Sequence, residues 1–191
     1  MNLITPKALY IRIPKNGSIS MFGVIRRFPQ ILSKSRRYYP TEINNPIGLG
    51  KEYLESFGPI DLSKLFIYSF VRNPFSRAVS SWRFTSYKKG ESFEDFCRNL
   101  SNTSEWHSFE QWIYLYDKNN NSVTDYIGRI ESYQDDFNYV CDQIGIPQQE
   151  LIHKNPTKHK HYTEYYNKET RDLVSQKYAK DIDLFGYKFG E

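Results

Sequence analysis

The sequence predicts an α/β fold, a three-layer α/β/α arrangement with a mainly parallel central sheet, and three observations carry that prediction. Ala8-Leu-Tyr-Ile-Arg-Ile13 is a compact β-rich run that closes on Pro14, Asn16 and Gly17 before a stretch able to continue as helix. Leu65-Phe-Ile-Tyr-Ser-Phe-Val71 is almost continuously apolar, as expected of a parallel strand buried on both faces. A short strand-like segment, Asp125 to Arg129, is again followed by a helical pattern. Strand, turn and helix repeating in this order build a layered domain with a parallel sheet.

The individual elements follow from local chemistry. Residues Ser18 to Phe28 place Met21, Phe22 and Ile25 on one helical side. Between 29 and 60, Pro29, Pro40, Pro46 and Pro59 with Gly48, Gly50 and Gly58 interrupt any long element, leaving room for a short helix near Lys51 to Phe57. After Val71 comes Arg72-Asn73, then Pro74, which suits the first turn of a helix whose packing face is Ala78, Val79 and Trp82. Ser92 with Asp95, and Ser132 with Asp135, read as capping-box starts of two further helices. Phe93, Phe96, Cys97 and Leu100 form an apolar stripe on one, and Phe137, Val140, Cys141 and Ile144 on the other. The two cysteines are therefore read as small core residues, not as a disulfide, metal ligands or nucleophiles. Residues 147–163 form a polar loop rich in Lys and His, and a last helix is expected from about Lys168 to Lys180.

Bulk properties bound the function. A chain of 191 residues suits one domain, residues 1–191, and its 17% aromatic content supplies apolar area to offset the entropy of ordering. The net charge of +4 favours an anionic ligand, yet no dense basic run marks a nucleic-acid binder. The four His residues make no zinc spacing with the two Cys, so no metal is expected. Neither an apolar signal region at Met1 to Lys7 nor a run of about 18 apolar residues is present, which points to a cytoplasmic protein with no membrane insertion, although a soluble piece of a membrane-anchored enzyme would read the same.

Two segments carry chemistry. Pro14-Lys15-Asn16-Gly17-Ser18-Ile19-Ser20 sits between a strand and a helix, where backbone N–H groups and the helix start can face an anion. It is not a Walker A loop, because Lys precedes the Gly and no Gly-Lys-Ser/Thr ending follows. In isolation it also fits an ordinary turn with a solvated Lys. In the second segment, Arg72 leaves the end of the buried strand, where open α/β sheets bind ligands, and Ser80 lies about two helical turns further on.

Taken together, the two segments resemble the PAPS-dependent sulfotransferases, particularly the carbohydrate (Golgi-type) sulfotransferase family. That family has Pro-Lys-x-Gly-x-x-Ser/Thr after its first strand and Arg-x-Pro-x-x-Arg-x-x-Ser after a later one. The second pattern matches Arg72, Pro74, Arg77 and Ser80 at every fixed position. The likeness continues through Ile127-Gly-Arg-Ile-Glu131 and through Asp181 to Phe189, whereas residues 29–60 do not align by eye. Ser18 departs from the pattern, since many members carry a second Gly there.

The resemblance implies a P-loop-like nucleotide-binding sulfotransferase fold and a metal-independent transfer from PAPS (3′-phosphoadenosine 5′-phosphosulfate) to a hydroxyl, with a carbohydrate as acceptor. The product is 3′,5′-adenosine bisphosphate. Lys15, Asn16, Gly17, Ser18, Ile19 and Ser20 would hold the 5′-phosphosulfate, and Arg72 with Ser80 the 3′-phosphate. Lys15 would neutralise the leaving oxygen. For the general base the resemblance favours His107, with Trp106 and Gln111 beside it suited to a sugar; a helix-capping role for His107 stands as the alternative. Glu42, Glu52 and Glu55 are other candidate bases. His153, Lys154, Lys158, His159, Lys160 and His161 form either a solvated loop or a lid over the donor. Two rival classes are a non-catalytic anion- or RNA-binding module and a nucleotide-dependent kinase of related fold.

Overall fold

The computed structural model describes residues 6–32, 61–102, 106–151 and 160–191. The helix expected near Lys51 to Phe57 lies outside these residues, as do Glu42, Glu52, Glu55 and most of the basic loop. Two compact units make up the chain, Met1–Val71 with Ile113–Asn155 and Arg72–Trp112 with Pro156–Glu191.

The first unit holds a four-stranded, all-parallel sheet in the order β2-β1-β3-β4, with β1 at Ala8–Tyr10, β2 at Ile31–Leu32, β3 at Phe66–Val71 and β4 at Tyr126–Arg129. β1 is shorter than the apolar run that announces it. Ile11 still donates to the Tyr68 carbonyl at 2.9 Å, after which the chain leaves the ladder for the turn at Pro14. Helix α1 (Ser18–Ile25) and helix α4 (Tyr133–Ile144) cover one sheet face. There Tyr10, Tyr68 and Phe70 meet Met21 and Val24 of α1 and Phe137, Val140, Cys141 and Ile144 of α4. The alternate residues Leu9, Ile67, Ser69 and Val71 are buried as well, so the sheet is apolar on both faces, as a parallel sheet flanked by helices must be.

Helix α1 stops at Ile25 instead of reaching Phe28. Arg27 and Phe28 close in tight turns onto Val24 and Ile25, because Pro29 disfavours helical geometry in the residue before it. The expected Ser132–Asp135 box is replaced by a knot around Asp136. Its carboxylate accepts from the Tyr126 hydroxyl (3.0 Å), the Arg129 N–H (2.5 Å) and the Ser132 hydroxyl (2.8 Å), tying β4 to the start of α4. Gly128 has its own reason to lack a side chain: a Cβ there would lie 2.6 Å from the ring of Phe70, its partner in the ladder.

The second unit is helical. Helix α2 (Pro74–Thr85) opens with Pro74 in its first turn, and the Asn73 side chain accepts from the Phe75 N–H at 3.0 Å. Such a cap contributes about 1 kcal/mol. Helix α3 (Phe93–Asn99) starts on Ser92, whose hydroxyl accepts from the Asp95 N–H, as the sequence predicts. Ala78, Val79, Trp82, Phe93, Phe96, Cys97 and Leu100 share one core with Val174 and Tyr178. Both thiols are free and buried, and burial pushes Cys97 up to about 12 and Cys141 in the same direction. The final helix is two helices, α5 (Lys168–Lys177) and α6 (Ala179–Phe185). The break falls at Tyr178, which is fully buried and donates its hydroxyl to the Ser108 carbonyl at 2.9 Å. That contact holds Tyr178 at φ −108°, ψ 26°, outside helical geometry.

Candidate functional site

The loop between β1 and α1 is held in an unusual shape. Lys15 has φ 69° and Gly17 has φ 66°, so two left-handed residues stand within one short turn. For Lys15 this conformation costs on the order of 1 kcal/mol, and strain of that kind collects at functional sites. Gly17 tolerates its φ, and a Cβ there would also lie 2.6 Å from the Tyr133 ring. The Tyr133 hydroxyl donates to the Gly17 carbonyl at 3.1 Å. Asn16 is fully buried and its Nδ2 donates to the Phe70 carbonyl at 2.7 Å, tying the loop to the end of β3.

The start of α1 has a form suited to an anion. Ser20 and Met21 donate to the Gly17 carbonyl, whereas helix geometry leaves the Ser18 and Ile19 N–H groups without an intrahelical acceptor. Gly17 offers no capping side chain, and the first turn contains no acid. A helix start of this kind has a partial positive charge, and Lys15, half-buried beside it, adds a full one. The Ser18 hydroxyl accepts from Arg12 Nε at 3.2 Å, and the Arg12 guanidinium lies 5.2 Å from the Phe22 ring centre. Ile19 is exposed, so its main chain is what it can offer, and Ser20 is half-buried.

Arg72 stands one residue past β3. Its Nε and Nη2 donate to the Ser76 hydroxyl at 3.0 and 2.8 Å, and the side chain is half-buried. Ser76 and the half-buried Ser80 are four residues apart on α2 and so share a face. Arg77, the second arginine of the sequence pattern, is fully buried, and its Nη1 donates to the Phe109 carbonyl at 2.7 Å. Arg77 therefore shapes the protein interior.

Residues 106–112 are irregular apart from two short 3-10 turns, and side chains pin them almost residue by residue. The His107 carbonyl accepts from Ser81, that of Ser108 from Tyr178 and that of Phe109 from Arg77. Glu110 pairs with Lys177 at 3.2 Å, and Lys180 lies 3.4 Å over the Trp112 ring. The Gln111 and Trp112 N–H groups donate to the Asp181 carboxylate at 2.8–2.9 Å. Burial pushes Asp181 up to about 6, against the pull of those N–H donors and of Arg77. His107 is buried, with Trp106 against its ring (centres 3.3 Å apart) and the exposed Phe84 at 4.8 Å.

Gln111 is not available to a sugar, contrary to the sequence expectation. It is fully buried, and its amide binds both main-chain groups of Arg72 and reaches Asp181. The contacts made by Gln111, Asp181, Tyr133 and Asn16 join residues 39 to 116 positions apart, and no local pattern announces them. Of the basic loop, Lys160 and His161 are described. The His161 imidazole contacts the Thr163 hydroxyl, and the His161 main-chain N–H donates to the Glu164 carboxylate, as a local turn cap. Among the described residues there is no group of three or more His, Cys, Asp or Glu able to hold a metal ion, and no helix long and apolar enough to cross a membrane.

Comparison with curated proteins gives no match. The chain is similar in structure to a crystallised sulfotransferase from Alicyclobacillus acidocaldarius, with a TM-score of 0.54, 13% identity and 98% of each chain covered. At that identity the likeness concerns the α/β fold. The model of the sulfotransferase family matches residues 5–188, nearly the whole chain, with both anion-suited segments inside the match, and the protein therefore belongs to the sulfotransferase family.

Proposed function

We propose that this sulfotransferase moves the sulfuryl group of PAPS to a carbohydrate hydroxyl, with residues 1–191 acting as one functional domain. The observation that carries the donor assignment is the strained loop at Lys15 and Gly17 leading into an acid-free helix start. Backbone N–H groups and the hydroxyls of residues 16–20 hold the 5′-phosphosulfate, and Lys15 neutralises the charge that develops on the phosphate oxygen as the sulfur–oxygen bond breaks. Arg72 and Ser80 take the 3′-phosphate. The acceptor oxygen forms the new bond to sulfur and gives its proton to the His107 imidazole, and 3′,5′-adenosine bisphosphate leaves. Phe84, exposed and in ring contact with His107, together with Trp106 supports the carbohydrate reading, since sugar rings stack on aromatic faces.

The test is sulfation of an acceptor panel (oligosaccharides, tyrosyl peptides, a hydroxysteroid) with PAPS, following bisphosphate release. Turnover is expected with an oligosaccharide, and His107→Ala should cut it by roughly 100-fold with unchanged donor affinity. Turnover confined to the peptide or steroid would overturn the acceptor assignment. Near-normal turnover of the variant would move the base to Glu42, Glu52 or Glu55.

A further inference from the structure

We propose that Gln111 and Asp181 are positioning residues for Arg72, and that through its main chain they set the preference for a nucleotide bearing a 3′-phosphate. The inference rests on the donor-site reading above and extends it to two residues outside the nucleotide segments.

Arg72 follows the last residue of β3. Gln111 binds its main chain in both directions. Its Oε1 accepts from the Arg72 N–H at 2.9 Å and its Nε2 donates to the Arg72 carbonyl at 2.9 Å. One planar amide thus grips both polar groups of one residue, which fixes the direction in which the Arg72 side chain leaves. A glutamine amide can turn over, and Asp181 prevents it. The Asp181 carboxylate is an acceptor, it lies 3.4 Å from Nε2, and it takes the Gln111 N–H as well. With Nε2 on the Asp181 side, Oε1 must face the Arg72 N–H. The guanidinium itself rests on Ser76, so the relay runs from a buried carboxylate to a half-buried cation.

The Gln111 side chain serves Arg72 as well as its own segment. Segment 107–112 is already pinned by Ser81, Tyr178, Arg77 and Asp181 through its own main chain. Beyond its contact with Asp181, the Gln111 amide carries a second link, to the main chain of Arg72. An arginine held this way meets a phosphate with little further ordering, and that is where preorganisation raises affinity.

The experiment measures, by calorimetry, affinity for 3′,5′-adenosine bisphosphate and for adenosine 5′-monophosphate, with melting temperature on the same samples. Wild type should prefer the bisphosphate. Gln111→Met, close in volume but unable to form either main-chain bond, should lose about tenfold of that preference while its affinity for the monophosphate stays within about twofold. Asp181→Asn keeps one acceptor oxygen and should lose about threefold. An unchanged preference in both variants, whatever the melting temperature, overturns the positioning role. Should Gln111→Met not fold, the Asp181→Asn ratio decides alone. A wild-type protein without preference for the bisphosphate would instead sink the donor-site reading itself.

Discussion

Lys15 holds a backbone conformation that its own side chain disfavours, and Asn16, Gly17 and Tyr133 hold it there. The strain is understandable if the ammonium group must reach one place. A charge needed when a leaving oxygen becomes anionic stabilises the transition state more than the bound product. Lys15→Ala should therefore lower kcat by at least tenfold while changing bisphosphate affinity by less than threefold, compared by steady-state kinetics and calorimetry. An effect confined to KM for PAPS would make Lys15 a binding residue. Lys15→Gly should be equally slow yet more stable than Lys15→Ala by up to about 1 kcal/mol, since glycine accepts a positive φ without the Cβ penalty. Equal melting temperatures for the two variants would show that the loop relaxes when the lysine is removed.

At the scale of elements, what was legible in the sequence is what is decided locally. Leu65 to Val71 reads as a buried strand because its side chains are apolar on both faces, and Pro74 with Asn73 reads as a helix start because cap chemistry lies within a few residues. The same local signals expose the Lys15 and Arg72 segments. They do not show the break at Tyr178, which comes from a hydroxyl reaching a carbonyl 70 positions away, or the Asp136 knot, where a carboxylate one residue beyond the expected cap partner takes three donors. Gln111 reads as a sugar-binding neighbour of His107 for the same reason. Asp181, on α6, offers a test at this scale. Burial pushes its carboxyl up from the ordinary 3.8 to about 6, with the Gln111 and Trp112 N–H groups and Arg77 opposing it. The folded state therefore binds more protons than the unfolded state between these values. The Asp181 contribution to stability is greatest below pH 3.8, falls as pH rises towards about 6, and is constant above. Denaturant unfolding of wild type and Asp181→Asn across this window should show the wild type losing up to about 3 kcal/mol relative to the variant as pH rises. A difference that is flat in pH would mean that Asp181 titrates alike in both states.

For the molecule as a whole, the net charge of +4 and the aromatic load by themselves suit three ligand classes, and folding stability tests the sulfotransferase donor against the other two. A ligand that binds only the native state stabilises it by about 2.7 kcal/mol when present at 100 times its dissociation constant. For a chain of this size each kcal/mol raises the melting temperature by about 2–4 °C, so the shift should be roughly 5–11 °C. We expect that shift with 3′,5′-adenosine bisphosphate, and a much smaller one with ATP and magnesium, because the loop lacks the Gly-Lys-Ser/Thr ending of a nucleoside-triphosphate site. Single-stranded RNA should act weakly, and its effect should vanish as salt rises from 50 to 200 mM, since without stacking or base readout counterion release would be its main contribution. In Arg72→Ala the bisphosphate shift should fall most of the way to that seen with adenosine 5′-monophosphate, because the charge-assisted contact to the 3′-phosphate is gone. A larger shift with ATP and magnesium than with the bisphosphate would favour the kinase reading. A bisphosphate shift that Arg72→Ala leaves whole would remove Arg72 from the donor site and the Gln111–Asp181 relay with it.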